Sequence, residues 1–320
     1  MQAASLAAVC FGKLPTHGDF VRHHVGGPDG GRGLQALDTW LQRGLVQAHR
    51  RLGVGFEASF DAAPGICFVM DPPAGDHVLA GVLRPSRDTA GRRYPFLVAV
   101  SIPRSRVDGR RLPSWPLRYQ AFFAEATALV ADVVAQRLAD EHLPDRLVRL
   151  RDLFDDTHFV VDYEYRLRQA QVWPLWGRTW GTSENGRKYV LLKNLTEGFA
   201  AARGWPARLP LRFPYPSIVE SMDASFWLEI CWHLHGKPPA KPAFFWPEAD
   251  VDGALLVSLA HPPPALFSHL FTNEAHDDGC FYLDDPDGKP TALAALALLA
   301  MHTTLLEDET LSYRAFIDQL

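Results

Sequence analysis

The chain has 320 residues, of which 47% are hydrophobic and 22% are charged, and its formal net charge is −5. A chain of this size and composition can bury a sizeable core, which excludes a wholly disordered protein. The acidic balance argues against a nucleic-acid binder or a protein of anionic membrane surfaces, since both classes are normally basic.

The first half of the chain reads as short strands mixed with helices. Apolar residues recur every three or four positions over 34–52, which predicts an amphipathic helix. Short runs rich in β-branched and aromatic residues at 66–70, 78–83 and 95–102 predict a meander of strands. The remaining predictions are a strand at 6–11, a structured loop at 12–22, and helices at 119–138 and 145–154.

The second half of the chain has weaker patterns of secondary structure. Residues 157–216 hold four tryptophans among many Gly, Pro and Arg residues, with one strand predicted at 188–192. A capping box at 217–220 predicts the start of a helix that ends at Gly236. The further predictions are strands at 244–246, 255–259 and 280–283, a helical turn at 264–271, and a helix at 291–302 before a polar tail.

Both halves therefore mix meander strands with helices, without a βαβ pattern. This predicts an α+β fold, with mainly antiparallel sheet or sheets, flanking helices and two sequential α/β subdomains. The expected domains are a leading domain at 1–140, a helix plus a Trp/Arg-rich insertion at 141–216, and a C-terminal α+β subdomain at 217–320.

Cysteine usage and the absence of long apolar segments predict a cytoplasmic protein. The four cysteines are far apart and form no CxxC pair, which indicates buried thiols in a reducing compartment; they are Cys10, Cys67, Cys231 and Cys280. No positive side chain precedes Lys13, unlike in a signal peptide. The longest apolar run, 292–301, is too short to cross a bilayer.

Motifs for metal, cofactor or nucleophile chemistry are weak. The sequence FGKLPTHGDFVRHH crowds His17, Asp19, His23 and His24 together, but no second ligand cluster accompanies them. The glycine-rich segment at 26–33 lacks the Lys-Ser/Thr pair of a P-loop. Nucleophile-elbow and zinc-protease motifs are absent from the sequence. We therefore predict no catalytic residue, no metal and no cofactor.

Two further features of the sequence each have a structural explanation as well as a functional one. Glu229 and His233 lie four residues apart on a predicted helix, but their apolar neighbours favour a packed core face with a satisfied histidine. Nine arginines fall between Arg84 and Arg118, which fits a surface for an acidic partner. The chain has 26 arginines and six lysines in all, so this density equally fits a general preference for arginine.

Two segments, considered together, form a more specific pattern than any of the single motifs above. They are GKLPTHGDF at 12–20 and RPSRDTAGRRYPF at 84–96, separated by the helix that carries Asp38, Trp40 and Leu41. In order and spacing they resemble the N-terminal domain of the TagF family, also called ImpM, of bacterial type VI secretion systems. The resemblance covers residues 1 to about 135 well and the second half more loosely.

The resemblance implies a non-enzymatic accessory protein that represses type VI secretion after translation by binding the forkhead-associated scaffold protein Fha. Other secretion components are a second class of partner. Two alternatives stay open: an enzyme that uses Asp19, Asp88 and His17, and a structural subunit of the secretion baseplate. The candidate binding residues are those of the two motifs and their immediate neighbour on the chain: Lys13, Pro15, Gly18, Asp19, Phe20, Arg22, Ser86, Asp88, Gly91, Arg92 and Tyr94.

Charge complementarity gives one structural hypothesis about the motifs. Lys13 or Arg92 pairs with Asp19 or Asp88 and thereby ties the two motif segments together. Gly18 is expected to supply a positive φ, and Asp19 to accept hydrogen bonds from nearby backbone N–H groups. If so, replacing Asp19 with Asn lowers the stability of the protein.

Overall fold

The computed structural model describes residues 5–27, 31–155, 163–183, 186–201, 209–216, 221–271, 279–284 and 300–320. The strands within these ranges are β1 Ala7–Gly12, β2 Val21–Gly26, β3 Ile66–Met70, β4 His77–Arg84, β5 Phe96–Pro103, β6 Leu211–Tyr215, β7 Ala243–Pro247, β8 Gly253–Ser258 and β9 Phe281–Tyr282. They form a single nine-stranded sheet in the order β2-β1-β5-β4-β3-β7-β8-β6-β9. All neighbouring strands are antiparallel except β6 and β9, which are parallel.

Helices cover both faces of this sheet. They are α1 Arg32–Leu52, α2 Phe56–Ala62, α3 Trp115–Arg118, α4 Gln120–Val134, α5 Leu143–Asp155, α6 Tyr163–Gln169, α7 Val172–Trp180, α8 Arg187–Ala201, α9 Ser221–His235, α10 Leu266–Phe271, α11 Ala300–Glu307 and α12 Tyr313–Asp318. Within the described ranges, no helix combines the length and the apolar character needed to cross a membrane.

The core consists of two apolar layers, one on each side of the sheet. Along β5, Phe96 and Val98 belong to the layer beneath α4, α5 and α9, whereas Leu97 and Ala99 belong to the layer beneath α1, α2 and α10. This alternation follows from the two-residue period of a strand. Because both faces are covered, β5 is buried along its whole length.

The α+β prediction with a mostly antiparallel sheet is confirmed. The predicted meander is β3, β4 and β5, paired in sequence order. Strands of both halves share the sheet, because β3 pairs with β7 from Ile66↔Pro247 to Met70↔Ala243. The division into three domains, at 1–140, 141–216 and 217–320, stays a prediction. All four cysteines are free and buried, as expected.

Several predictions of secondary structure and burial were wrong, and others concern residues outside the described ranges. The strand predicted at 188–192 is part of the helix α8, and the polar tail contains the buried residues of α12. His233 is exposed and not part of a packed core face, although Glu229 is half-buried. The capping box at 217–220 and most of the helix predicted at 291–302 lie outside the described residues.

Candidate functional site

Strand pairing brings the two sequence motifs together. The first motif begins where β1 ends, and the second ends where β5 begins. Because β1 and β5 are antiparallel, with Phe11 opposite Leu97, both motifs lie at the same edge of the sheet. Gly12 makes this approach possible: a Cβ at this position, with φ +138°, would lie 2.3 Å from the Pro95 carbonyl oxygen.

Each motif folds as a tight turn. In motif loop 1 (residues 13–20), the His17 N–H donates to the Leu14 carbonyl at 3.0 Å, and Pro15 occupies the second position of the turn, which its fixed φ favours. In motif loop 2 (residues 85–95), the Gly91 N–H donates to the Asp88 carbonyl at 2.9 Å, and Gly91 has φ +78°. The expectation that Gly18 supplies a positive φ is wrong, because Gly91 does so instead.

Asp88 is the centre of the two loops. Its Oδ2 accepts from Lys13 Nζ and from Arg92 Nε, each at 2.7 Å, and its Oδ1 accepts from the backbone N–H groups of Ala90 at 3.0 Å and Arg92 at 2.9 Å. The Asp88 side chain is fully buried. The hydrogen bond from Lys13 is the main cause that holds the pKa of Asp88 well below its usual range. Asp88 is therefore ionised at neutral pH, with every acceptor position occupied.

Further hydrogen bonds join the loops directly. An Arg92 guanidinium nitrogen donates to the Gly18 carbonyl at 2.7 Å, and the Thr89 N–H donates to the His17 carbonyl at 2.9 Å. The hypothesis that a motif cation pairs with a motif aspartate is thus confirmed for Asp88. It is wrong for Asp19, which is exposed, accepts from the Phe20 N–H at 2.8 Å, and has no ion pair within the described part of the chain.

Tyr94 connects the motif loops to the helix between them. Its hydroxyl donates to Asp38 on α1, and burial is the main cause that raises the pKa of Tyr94. Its N–H donates to the Ser86 carbonyl at 3.0 Å. The Phe20 ring packs edge-on against Tyr94 at 4.9 Å and lies 5.6 Å from Lys13 Nζ, yet Phe20 stays 47% exposed. Phe20 is therefore held in place while presented to solvent.

Motif loop 2 borders a cleft and carries exposed arginines. The side chains of Arg87 and Arg92 are 59% and 61% exposed, and Arg22 is exposed on β2. A cleft of about 460 Å³, which Arg92 lines, lies between α1, α2 and motif loop 2. Its lining includes Leu45, Val46, Arg50, Phe56 and Arg92. We call the surface formed by Phe20, Arg87, Arg92 and this cleft the motif face.

The side chains of the motif face are suited to binding a partner. The carboxylate of the second motif that was a candidate for catalysis, Asp88, is not available for reaction. A general base must be able to take up a proton, and the saturated, buried Asp88 cannot do so near neutral pH. His17 Nε2 lies 3.1 Å from Asp140 Oδ2, and the adjacent His23 and His24 point to opposite sides of β2. The described residues contain no group of three His, Cys, Asp or Glu side chains that could hold a metal ion.

Sequence reasoning missed several parts of this site. The strand β2 was not predicted, since the predicted loop at 12–22 covers only its first two residues. The roles of Thr89 and Asp140 had no sequence signal because both depend on loop geometry. Val46 lies on α1 outside the row of buried residues and is 52% exposed. A single exposed apolar residue is common on protein surfaces, so only its place in the lining of the cleft, seen in the structure, singles it out.

Comparison with known proteins gives the following. The model of the TagF N-terminal domain, described as type VI secretion system-associated, matches residues 9–150. No curated protein sequence matches the chain. Among solved structures, the chain is similar to PA0076 from Pseudomonas aeruginosa PAO1, with a TM-score of 0.51 and 17% sequence identity over 86% of this chain and 98% of that one. At this identity the structural likeness shows a shared fold.

Proposed function

Because residues 9–150 match the model of the type VI secretion-associated TagF N-terminal domain, we propose that this protein is a cytoplasmic repressor of a type VI secretion system. It acts by binding the forkhead-associated scaffold protein Fha through the motif face. The binding is stoichiometric and makes or breaks no covalent bond. The observation that carries this proposal is that hydrogen bonds occupy every acceptor position of Asp88. The charged motif residues bound to it therefore hold the two loops together.

The geometry supports a preformed docking surface. Asp88 and the loop-to-loop hydrogen bonds fix motif loop 1 against motif loop 2 before any partner arrives. An aromatic ring held rigidly beside arginines is a typical anchor of protein interfaces. Little conformational entropy is then lost when a partner docks on Phe20.

Charge supports an acidic partner segment. Arg87 and Arg92 keep most of their side chains exposed, and Arg50 lines the same cleft. The three motif arginines each have a carboxylate partner: Arg87 lies 3.9 Å from Asp61, Arg92 is bound by Asp88, and Arg93 is bound by Asp61 at 2.7 Å and Glu57 at 2.9 Å, which fastens motif loop 2 to α2. In the lining of the cleft, Arg50, Arg92 and Arg93 outnumber Glu57, so the cleft favours an acidic segment of the scaffold with apolar side chains for Leu45 and Val46.

Binding can be tested with the purified full chain and the forkhead-associated scaffold of the same secretion cluster. We expect Phe20→Ala, Val46→Asp and Arg87→Glu each to weaken the complex at least tenfold in calorimetry. Arg110→Glu is the matched control for Arg87→Glu, because Arg110 is also exposed but lies beyond the other end of β5. Unaltered melting curves show that the variants are folded.

A pull-down of the tagged chain from a cell that carries the secretion cluster, combined with this calorimetry, separates the alternatives. Capture of baseplate components without the scaffold favours a structural subunit. Equal scaffold binding by Phe20→Ala, Val46→Asp and the wild type contradicts the motif face as the contact surface. In cells, the wild-type chain is expected to lower secretion when overproduced, and Phe20→Ala is expected not to.

A further inference from the structure

Helix α1 carries a row of solvent-facing side chains beside the cleft of the motif face. Thr39, Arg43, Val46 and Arg50 follow one another at intervals of four, three and four residues, which places them along one side of the helix. Thr39 is half-buried and the other three are exposed, while the buried residues of α1 lie on the opposite side. We call these four residues the outer row.

The outer row is continuous with the cleft. Val46 and Arg50 line the cleft, whereas Thr39 and Arg43 lie beyond its lining, closer to the start of α1. At 1.5 Å per residue the row is about 16 Å long. A partner segment that enters the cleft contacts the whole row if it runs along α1.

The two arginines of the outer row have no carboxylate partner. Other exposed arginines of the chain do, such as Arg137, which lies 2.7 Å from Asp132. Neither Arg43 nor Arg50 makes a hydrogen bond or an ion pair within the part of the chain that the structure describes. Both guanidinium groups are therefore available to a partner.

The carboxylates closest to the row in the fold are already bound. Asp38 is the one carboxylate of α1, and it accepts hydrogen bonds from the Tyr94 hydroxyl and the Gln42 amide. Glu57 is the one carboxylate among the residues that line the cleft, and its Oε1 lies 2.9 Å from Arg93 Nη1. The positive charge of the outer row is thus left for an acid from outside the fold.

Arg43 is the residue that points to a partner. Arg50 lies in the last turn of α1, where a cation stabilises its own helix because the carbonyl end of the helix dipole is negative. Arg43 lies nine residues before Leu52, the last residue of α1, and this effect does not extend beyond the last turn. The fold gives Arg43 no favourable charge, and a bound acidic partner would supply one.

We propose that the scaffold segment that docks on the motif face is an acidic amphipathic α-helix that lies along α1. This inference rests on the proposed function and specifies its partner segment. Arg43 and Arg50 are seven residues apart, which is about 10.5 Å along the helix axis. Two acidic residues seven positions apart on a partner helix share one face at the same spacing. Residues on one face of a strand are instead about 6.8 or 13.6 Å apart.

The first test uses calorimetry with the purified full chain and the forkhead-associated scaffold of the same secretion cluster. Arg43→Glu is expected to weaken the complex at least tenfold, because it places a negative charge opposite the acidic partner. Arg110→Glu is the matched control: it makes the same change of charge beyond the far end of β5 and is expected to bind as the wild type does. Both positions are exposed, so unaltered melting curves are expected.

The conformation of the bound segment is the second readout. Hydrogen exchange identifies the scaffold segment that the chain protects, and this segment is then made as a ¹³C-labelled peptide. Its Cα chemical shifts in the complex distinguish a helix from a strand. We expect a helix with two acidic residues seven positions apart, and replacing one of them with lysine is expected to restore binding to Arg43→Glu.

The outcomes separate this inference from the proposed function. If the wild type binds no scaffold, the proposed function fails and this inference with it. If Phe20→Ala weakens the complex but Arg43→Glu binds as Arg110→Glu does, or if the bound segment is extended, the motif face stands and the helix along α1 is overturned. If Arg43→Glu abolishes binding to phosphatidylserine vesicles and leaves scaffold binding unchanged, the outer row contacts a membrane and the proposal is likewise overturned.

Discussion

The Lys13 ammonium donates to the Asp88 carboxylate at 2.7 Å and so joins two segments that are 75 residues apart in the chain. The contact is buried on both sides, with 9% of the Lys13 side chain and none of the Asp88 side chain exposed. Burial of an ion pair requires that both partners remain, because either charge alone is costly in the protein interior. This dependence gives the first prediction.

Asp88→Asn should lower the melting temperature by several degrees. The substitution leaves the Lys13 ammonium buried without a counter-charge and replaces an acceptor oxygen with a donor nitrogen. Asp19→Asn is the matched control: Asp19 is exposed, and its substitution should leave the melting temperature nearly unchanged. Thermal denaturation followed by circular dichroism measures both. Equal melting temperatures for the two variants would contradict the central role of Asp88.

Three glycine-to-alanine substitutions in the motifs should differ sharply in cost. Gly12→Ala places a Cβ 2.3 Å from Pro95 O and 2.6 Å from Phe96 Cα, so it should prevent normal pairing of β1 with β5. Gly91→Ala meets no atom within 4 Å, and its positive φ should cost about 1–2 kcal/mol. Gly18→Ala should be nearly neutral, since its Cβ would lie 3.6 Å from Thr89 Oγ1. Urea denaturation gives the order, and a Gly18→Ala variant less stable than Gly12→Ala would refute it.

Glu229 should make stability depend on pH. Burial is the main cause that raises the pKa of Glu229 to about 7 from 4.5. Between these values the folded state holds a proton that the unfolded state has released, so the free energy of unfolding falls as the pH rises through this window. Tyr163 donates to Glu229 Oε1 at 2.9 Å, and a glutamine at this position can accept the same hydrogen bond.

The corresponding variant is Glu229→Gln. It should match the wild type near pH 4 and exceed its free energy of unfolding by up to ~3 kcal/mol at pH 8. Urea denaturation at both pH values measures the difference. Wild type and variant with parallel pH profiles would show that Glu229 ionises without cost in the fold.

The cysteines should react slowly in the native protein. Burial raises the pKa of both Cys10 and Cys67 to about 12 and also raises the pKa of Cys231, and Cys280 is buried as well. The thiolate is the reactive species, so little of it is present at pH 8. With Ellman's reagent, we expect four thiols to react promptly in denaturant and slowly without it. Prompt reaction of the native protein would be inconsistent with this burial.

The sequence predicted the fold best where one signal dominated. The strands β3–β5 are short, continuous runs of β-branched and aromatic residues, and the helix α1 has a strong 3.6-residue pattern; both formed where expected. The short apolar run from Lys188 to Leu192 is compatible with a strand and also with one and a half turns of helix. Packing against neighbouring elements favours the helix, and the run is part of α8. The strand β6 was missed because Pro214 interrupts its pattern.

The candidate site shows the same limit. Charge alone predicted that a motif cation pairs with a motif aspartate, and Lys13 with Asp88 confirms it. Charge could not decide between Asp19 and Asp88, because that choice depends on which carboxylate the turns direct inward. The cleft beside α1 was beyond prediction, since it is built from segments that only the fold brings together.

The pairing of β3 with β7 has a consequence for synthesis of the chain on the ribosome. Phe68 on β3 lies opposite Phe245 on β7, and both are completely buried. Until residue 247 has left the ribosome, one edge of the apolar strand β3 has no partner strand. Such an unpaired edge can associate with other chains. Slow elongation between these segments should therefore increase the fraction of newly made chains that require a chaperone.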